Sequence, residues 1–308
     1  MGNKFLTGVY PVMLTPFTAE NQVDYENLEK LVEWYIDAGV AGLFAVCQSS
    51  EMFFLTLEER VNITKFVVEK VAGRVAVVAS GHISDSLEEQ AEELNAVAQA
   101  GPDAVILLTN RLAREEEDDG VWIRNLELLL EKLPADLPLG FYECPYPYKR
   151  VMTPEQLRWC GNTGRFYFTK DTSCDLGQIK KKLEATRGSN IRLYNANTST
   201  LLESLQEGAS GFSGVMANFH PGLYVWLTEN FRKEPEKARQ VADLLTVASL
   251  IERQVYPVNA KFYQRQIGNF KTIHTRSKDS SLFNATCELE MDQLTRLVEF
   301  VGKAVLEG

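Results

Sequence analysis

Three residues of this sequence could act together on a carbonyl compound: Lys170, Tyr142 and Ser49, each at the end of an apolar run. A lysine ammonium is costly to desolvate. At the end of a buried strand it therefore either pairs with an acid such as Asp171 or has a lowered pKa and becomes a neutral amine. A neutral amine can attack a ketone to form an imine. A nearby phenol and hydroxyl can carry the protons that this reaction moves.

Eight strand-like apolar runs alternate with amphipathic segments that have helical periodicity. The runs cover residues 8–15, 41–47, 74–81, 103–109, 137–144, 165–170, 191–197 and 211–217. Thr56 with Glu59 forms a capping box, and Thr153 before Pro154 marks another helix start. Eight strands that are each followed by a helix predict an α/β fold, a (β/α)8 TIM barrel.

After the eighth strand-like run the chain continues with helical patterns only. No low-complexity linker interrupts it. We therefore expect a catalytic barrel domain over residues 1–233 and a C-terminal helical extension over residues 234–308 that packs on the barrel.

Residues at the carboxyl ends of the barrel strands are the candidates for chemistry, because the βα loops gather at that face. The strand ends carry several polar side chains besides Lys170 and Tyr142. They include Thr15, Gln48, Ser49, Ser50, Asn110 and Ser213.

Five segments at these strand ends resemble one known family. They read "LTPF" from Leu14, "CQSSE" from Cys47, "FYECP" from Phe141, "FTKDTS" from Phe168 and "GASGFSGVMANFHP" from Gly208. In this order they resemble the dihydrodipicolinate synthase and N-acetylneuraminate lyase superfamily, the pyruvate-type class I aldolases. The resemblance covers essentially the whole chain.

The resemblance implies a role for each matching residue. Lys170 would form the imine, Tyr142 would relay protons, and Ser49 would extend this relay and hold the carboxylate of a pyruvyl unit. Further substrate-binding residues would be Gln48, Ser50, Thr15 and Ser213. The resemblance also implies a homotetramer. No metal or organic cofactor is expected, because the lysine imine is itself the electron sink.

Three departures from the family pattern bear on the substrate. Gln48 and Ser50 stand where the family has threonine and glycine, which makes the carboxylate-binding turn bulkier. No tyrosine follows Thr109, where synthases carry one that reaches a neighbouring subunit's site. Pro147 stands where a synthase would have the arginine that grips its second substrate. Dihydrodipicolinate synthesis is therefore not the expected reaction.

The acceptor side of the site is expected to suit a sugar acid or an aromatic aldehyde instead. The candidates there are Asn110, Arg111, Tyr148 and Lys149. Three functions stay open from sequence. One is a lyase that releases or adds pyruvate, and another is a dehydratase of a 2-oxo sugar acid that uses the same imine. The third is a catalytically silent protein of the same fold that binds a small molecule.

Composition narrows the class of partner. The net charge of −10 comes with no basic stripe, which argues against nucleic acid and anionic membranes and leaves a small-molecule 2-oxo acid. Five widely spaced cysteines and the absence of a signal-peptide pattern predict a cytoplasmic location. Three histidines that lie far apart in the sequence give no basis for a metal site.

Overall fold

The computed structural model describes residues 5–307, and eight parallel strands form its centre. From the second strand to the eighth, each strand pairs with the next along the chain, and the first strand pairs with the eighth. A bridge between Val12 and Phe44 joins the start of the chain to β2, so the barrel closes. The predicted TIM barrel is confirmed. The strands are β1 Gly8–Val9, β2 Gly42–Phe44, β3 Ala76–Ser80, β4 Ala104–Leu108, β5 Leu139–Tyr142, β6 Phe166–Asp171, β7 Arg192–Asn195 and β8 Gly211–Phe212.

Local sequence signals account for where the helices begin. The Thr56 side chain accepts from the Glu59 N–H as predicted, and Thr153 caps the helix that opens on Pro154. The helices are α1 Tyr25–Asp37, α2 Leu57–Val71, α3 Leu87–Gln99, α4 Asp119–Glu131, α5 Pro154–Thr163, α6 Leu176–Thr186, α7 Leu201–Gln206, α8 Pro221–Asn230, α9 Pro235–Ala248, α10 Val258–Gln266 and α11 Ala285–Glu307.

Aromatic side chains fill the barrel interior. The Phe168 ring lies 4.6 Å from the Tyr194 ring and 5.4 Å from the Tyr10 ring, centroid to centroid. Gly211 lets β1 and β8 approach closely, since a Cβ there would lie 1.7 Å from the Gly8 carbonyl oxygen. Phe168 and Lys170 are two residues apart on β6 and point to the same face. The packed rings thus fill the barrel interior directly beneath the Lys170 side chain.

Helices α9 to α11 follow the last barrel helix. Apolar residues of α9, among them Val241 and Leu245, belong to the same buried cluster as the barrel strands. The turn between α9 and α10 carries Glu252 and Tyr256 to the carboxyl-end face of the barrel, where both line a cavity. The domain boundary at residue 233 stays a prediction. Among residues 5–307, no helix has the length and apolar character needed to cross a membrane.

Candidate active site

Lys170 lies on β6, and its side chain is 4% exposed. Its Nζ is 4.4 Å from the centroid of the Tyr142 ring and 6.0 Å from that of Phe44. Within residues 5–307 the ammonium makes no ion pair, because Asp171 pairs with Lys182 instead. Burial lowers the pKa of Lys170 from its ordinary 10.5. The structure therefore excludes a pair between Lys170 and Asp171, and burial shifts the pKa of Lys170 in the direction of the neutral amine.

A buried ion cluster fixes Tyr142 and Lys170 relative to each other. Lys182 of α6 contacts the carboxylates of Glu143 and Asp171, the residues directly after Tyr142 and Lys170. Burial opposes the charge on Lys182, but the two carboxylates outweigh it and raise the pKa of the ammonium. The cluster holds the ends of β5 and β6 together behind the two functional side chains.

The turn at 47–51 is held by two of the predicted substrate-binding residues. The Ser50 hydroxyl accepts from the Cys47 N–H at 3.1 Å and donates to the Met13 carbonyl at 2.7 Å. Thr15 donates to the Ser50 carbonyl at 2.8 Å. Both hydroxyls are thus engaged in the turn, and neither Thr15 nor Ser50 lines the cavity. The side chains at positions 48 and 49 do line it.

Tyr142, which lines the cavity, and the nearby thiol Cys144 are both neutral at neutral pH. Burial raises the pKa of Tyr142 well above its ordinary 10.0, and that of the Cys144 thiol to about 11. The Tyr142 hydroxyl is 3.4 Å from Gln48 Oε1, which the Cys144 sulfur approaches at 3.6 Å. Tyr142 can therefore donate a proton, but it is not a base in the resting site.

The cavity at this face has a volume of about 430 Å³, a size that suits a small organic molecule. Lys170 and Tyr142 line it together with residues of several other segments. The lining includes Gln48, Ser49, Glu51, Phe53, Phe54, Tyr146, Glu252, Tyr256, Ser277 and Lys278.

Glu51 anchors part of the C-terminal segment at the mouth of the cavity. Its carboxylate pairs with Lys261 at 2.6 Å and accepts the N–H groups of Arg276 and Ser277 at 2.7 Å. Both members of the pair are fully buried, and burial lowers the pKa of Lys261 to about 8. This anchor places Lys278, two residues after Arg276, on the cavity wall.

The predicted acceptor-side residues lie outside the cavity lining. The Asn110 amide donates to the carbonyls of Cys144 and Tyr146 at 2.9 Å, and Tyr148 donates to the Asn110 carbonyl at 2.6 Å. These bonds shape the loop that brings Tyr146 to the cavity rim. Of the other acceptor-side candidates, Arg111 pairs with Asp85 and Lys149 is exposed. Ser213, which was predicted to bind substrate, is buried at the end of β8 and does not line the cavity.

Two residues of the C-terminal segment were missed from sequence. The Tyr256 hydroxyl lies close to Ser49 and accepts from the Asn218 amide at 3.2 Å, and burial raises its pKa well above 10.0. Glu252 shares the cavity with Lys170, and burial raises the pKa of its carboxyl to about 7. No local motif marks either residue: Glu252 ends a stretch with ordinary helical periodicity, and Tyr256 lies in the short turn before the next helix.

Comparisons with known sequences and structures show what this chain is similar to. The sequence model of the Dihydrodipicolinate synthetase family matches residues 5–279. A 4-hydroxy-tetrahydrodipicolinate synthase from Clostridium perfringens is 29% identical over 209 residues, which cover 68% of this chain and 69% of that relative. The synthase of the same name from Saccharophagus degradans is 25% identical over 267 residues, or 85% of this chain and 89% of the relative.

A solved structure shares the fold. It is YagE, a prophage protein of the dihydrodipicolinic acid synthase family from E. coli K12, in complex with pyruvate. The two structures superimpose with a TM-score of 0.83 over 96% of this chain and 98% of the other, at 23% sequence identity. At that identity the likeness establishes the fold alone.

Proposed function

Because this chain belongs to the Dihydrodipicolinate synthetase family, we propose that its Lys170 forms an imine with a 2-oxo acid of the pyruvate type. The protein is a carbon–carbon lyase. One observation carries the proposal: a buried lysine without an ion-pair partner in the described chain faces a tyrosine ring across a cavity that admits a small molecule. Burial favours the neutral amine that the reaction needs.

The proposed reaction begins when the neutral Lys170 amine attacks the C2 carbonyl of the oxo acid. Water leaves from the resulting carbinolamine, and the protons this requires pass through the hydroxyls of Tyr142, Ser49 and Tyr256. In the cleavage direction, the C4 hydroxyl gives its proton to this relay at Tyr142, which replaces the proton that was used to expel water, and the C3–C4 bond breaks. Its electron pair moves into the imine, which leaves an enamine of pyruvate and an aldehyde. Condensation is the reverse of these steps.

The side chains at the cavity rim indicate which class of acceptor aldehyde could bind. Phe53, Phe54 and Tyr146 make one part of the wall apolar, and Lys278 adds a cation. Such a rim suits an aldehyde that combines an apolar or aromatic part with an anionic group. We therefore propose to screen both aromatic aldehydes and sugar acids, the two classes expected from the sequence.

Borohydride trapping tests the imine directly. Incubation of the protein with pyruvate and borohydride should give one stable pyruvyl adduct per chain, measured by intact mass. Lactate, which has no ketone, is the matched control and should give none. A folded chain that forms no adduct with pyruvate or a longer 2-oxo acid would contradict the proposed function.

Replacing Tyr256 by phenylalanine is expected to slow turnover while leaving the final yield of trapped imine unchanged, because the lysine that forms the imine is still present. The change removes only the hydroxyl, which lies close to Ser49 and accepts from Asn218, and loss of one proton-transfer group lowers kcat by about 100-fold. The measurement is kcat with the best substrate of the screen, beside the yield of trapped adduct. Tyr167→Phe, on the opposite face of β6 from Lys170, is the control. Equal kcat in the two variants would remove Tyr256 from the relay.

The homotetramer and the cytoplasmic location stay predictions. Since Tyr256 and Ser49 belong to the same chain, their contact forms without a neighbouring subunit. Light scattering after size-exclusion chromatography would measure the mass of the assembly.

A further inference from the structure

The proposed chemistry needs a group that accepts a proton from carbon. An imine of pyruvate must lose a C3 proton before it can act as an enamine in the condensation direction. Tyr142 and Tyr256 have pKa values well above 10, so both phenols stay protonated near neutral pH. They can pass protons along the relay, but neither is a base in the resting site.

Among residues 5–307, two carboxylates line the cavity, and one of them has oxygens free of hydrogen bonds and ion pairs. Glu51 is held by the Lys261 ammonium and by the N–H groups of Arg276 and Ser277. Glu252 makes no ion pair or hydrogen bond with any residue in the part of the chain that the structure describes, residues 5–307. Its carboxyl group faces the same cavity as Lys170.

We propose that Glu252 is the acid–base residue that takes the C3 proton from the imine-bound 2-oxo acid and later returns it. This inference rests on the proposed function. In the forward step the C3–H bond breaks and the proton goes to the Glu252 carboxylate. The electron pair forms the C2–C3 double bond, and the iminium π pair moves to the Lys170 nitrogen to give a neutral enamine. No other reagent is required.

The surroundings of Glu252 suit a group that must gain and lose a proton. Burial raises the pKa of its carboxyl to about 7, while Lys170 and Arg253 oppose this shift. The other titratable groups that face it are Tyr224 of α8 and Tyr256, which are neutral near that pH. A base with a pKa close to the working pH combines a useful population of carboxylate with adequate proton affinity.

The turn that carries Glu252 is held in place from both sides. Asn259 of α10 donates to the carbonyl of Ile251 at 2.8 Å, and Gln254 hydrogen-bonds to Glu290 of α11. The turn is thus tied to a neighbouring helix on each side of Glu252, through a backbone carbonyl at Ile251 and through a side chain at Gln254. The carboxyl group can therefore be removed without disturbing these contacts.

Exchange of the pyruvate methyl hydrogens for deuterium tests this role without knowledge of the acceptor aldehyde. In D2O the native chain should catalyse the loss of the methyl proton signal of pyruvate, which is measured by NMR over time. Glu252→Gln should slow this exchange by about 100-fold or more while borohydride trapping keeps its native yield. Glu252→Asp, which keeps a shortened carboxylate, should lie between the two. Glu229→Gln changes an exposed carboxyl of α8, and this variant should catalyse the exchange at the native rate.

The pH profile gives a second readout. Because the base must be ionised, native exchange should rise with pH through a midpoint near 7, and the Glu252→Gln variant should lack this rise. Native exchange in the folded Gln variant would overturn the proposal for Glu252 and leave the imine in place. Loss of trapping in that variant would also overturn it, since Glu252 would then act before the imine forms. A native chain that traps no oxo acid would overturn both proposals.

Discussion

Replacing Lys170 by methionine is expected to abolish the pyruvyl adduct and lower turnover by about 10⁴-fold or more, because the nucleophile itself is removed. The fold should survive this change. Lys170 is buried with no ion-pair partner in the described chain, and methionine has nearly the same length without a charge to desolvate. We therefore expect a melting temperature at or above that of the native chain.

The measurements are intact mass after borohydride treatment, peptide mapping of the adduct in the native chain, and thermal unfolding of both proteins. Lys278→Met is the matched control, since Lys278 lines the same cavity but is exposed. It should keep the adduct. An adduct that persists in Lys170→Met and disappears in Lys278→Met would assign the imine to Lys278 instead of Lys170. That result would contradict the proposed function.

The same substitution at Lys182 is expected to have the opposite effect on stability. Lys182→Met removes the only ammonium that contacts both buried carboxylates, Glu143 and Asp171, among the described residues. Breaking a buried ion pair by removing one partner costs about 3 to 5 kcal/mol of the free energy of unfolding, because uncompensated charge stays behind. The melting temperature should fall accordingly, and the ends of β5 and β6 should lose their fixed relation.

Two variants make the Lys182 result interpretable. Lys181→Met changes an exposed lysine on the same helix and should leave the melting temperature unchanged. The triple variant Lys182→Met, Glu143→Gln, Asp171→Asn removes the charges together and should recover much of the lost stability. If Lys182→Met has the same melting temperature as the native chain, the ion cluster does not hold β5 and β6 together. Another contact must then set the distance between Tyr142 and Lys170.

Lys170 and Lys182 also show which features can be inferred from the sequence and which cannot. Lys170 could be singled out because it ends an apolar strand, a position where a charge is unusual. Lys182 closes a run of three lysines in an amphipathic helix, a pattern typical of a solvated face. Its side chain is nonetheless only 1% exposed. Helical periodicity does not reveal that two carboxylates from neighbouring strands meet it there.

The sequence by itself determined the barrel, its eight strands and the positions of Lys170, Tyr142 and Ser49 at the strand ends. Those features follow from local alternation and from the order of short segments along the chain. Only the tertiary structure decided what surrounds them. It turned Thr15 and Ser50 into supports of a turn and brought Tyr256 to Ser49 across more than two-thirds of the described chain. Contacts of that kind depend on how distant elements pack, and no local pattern encodes them.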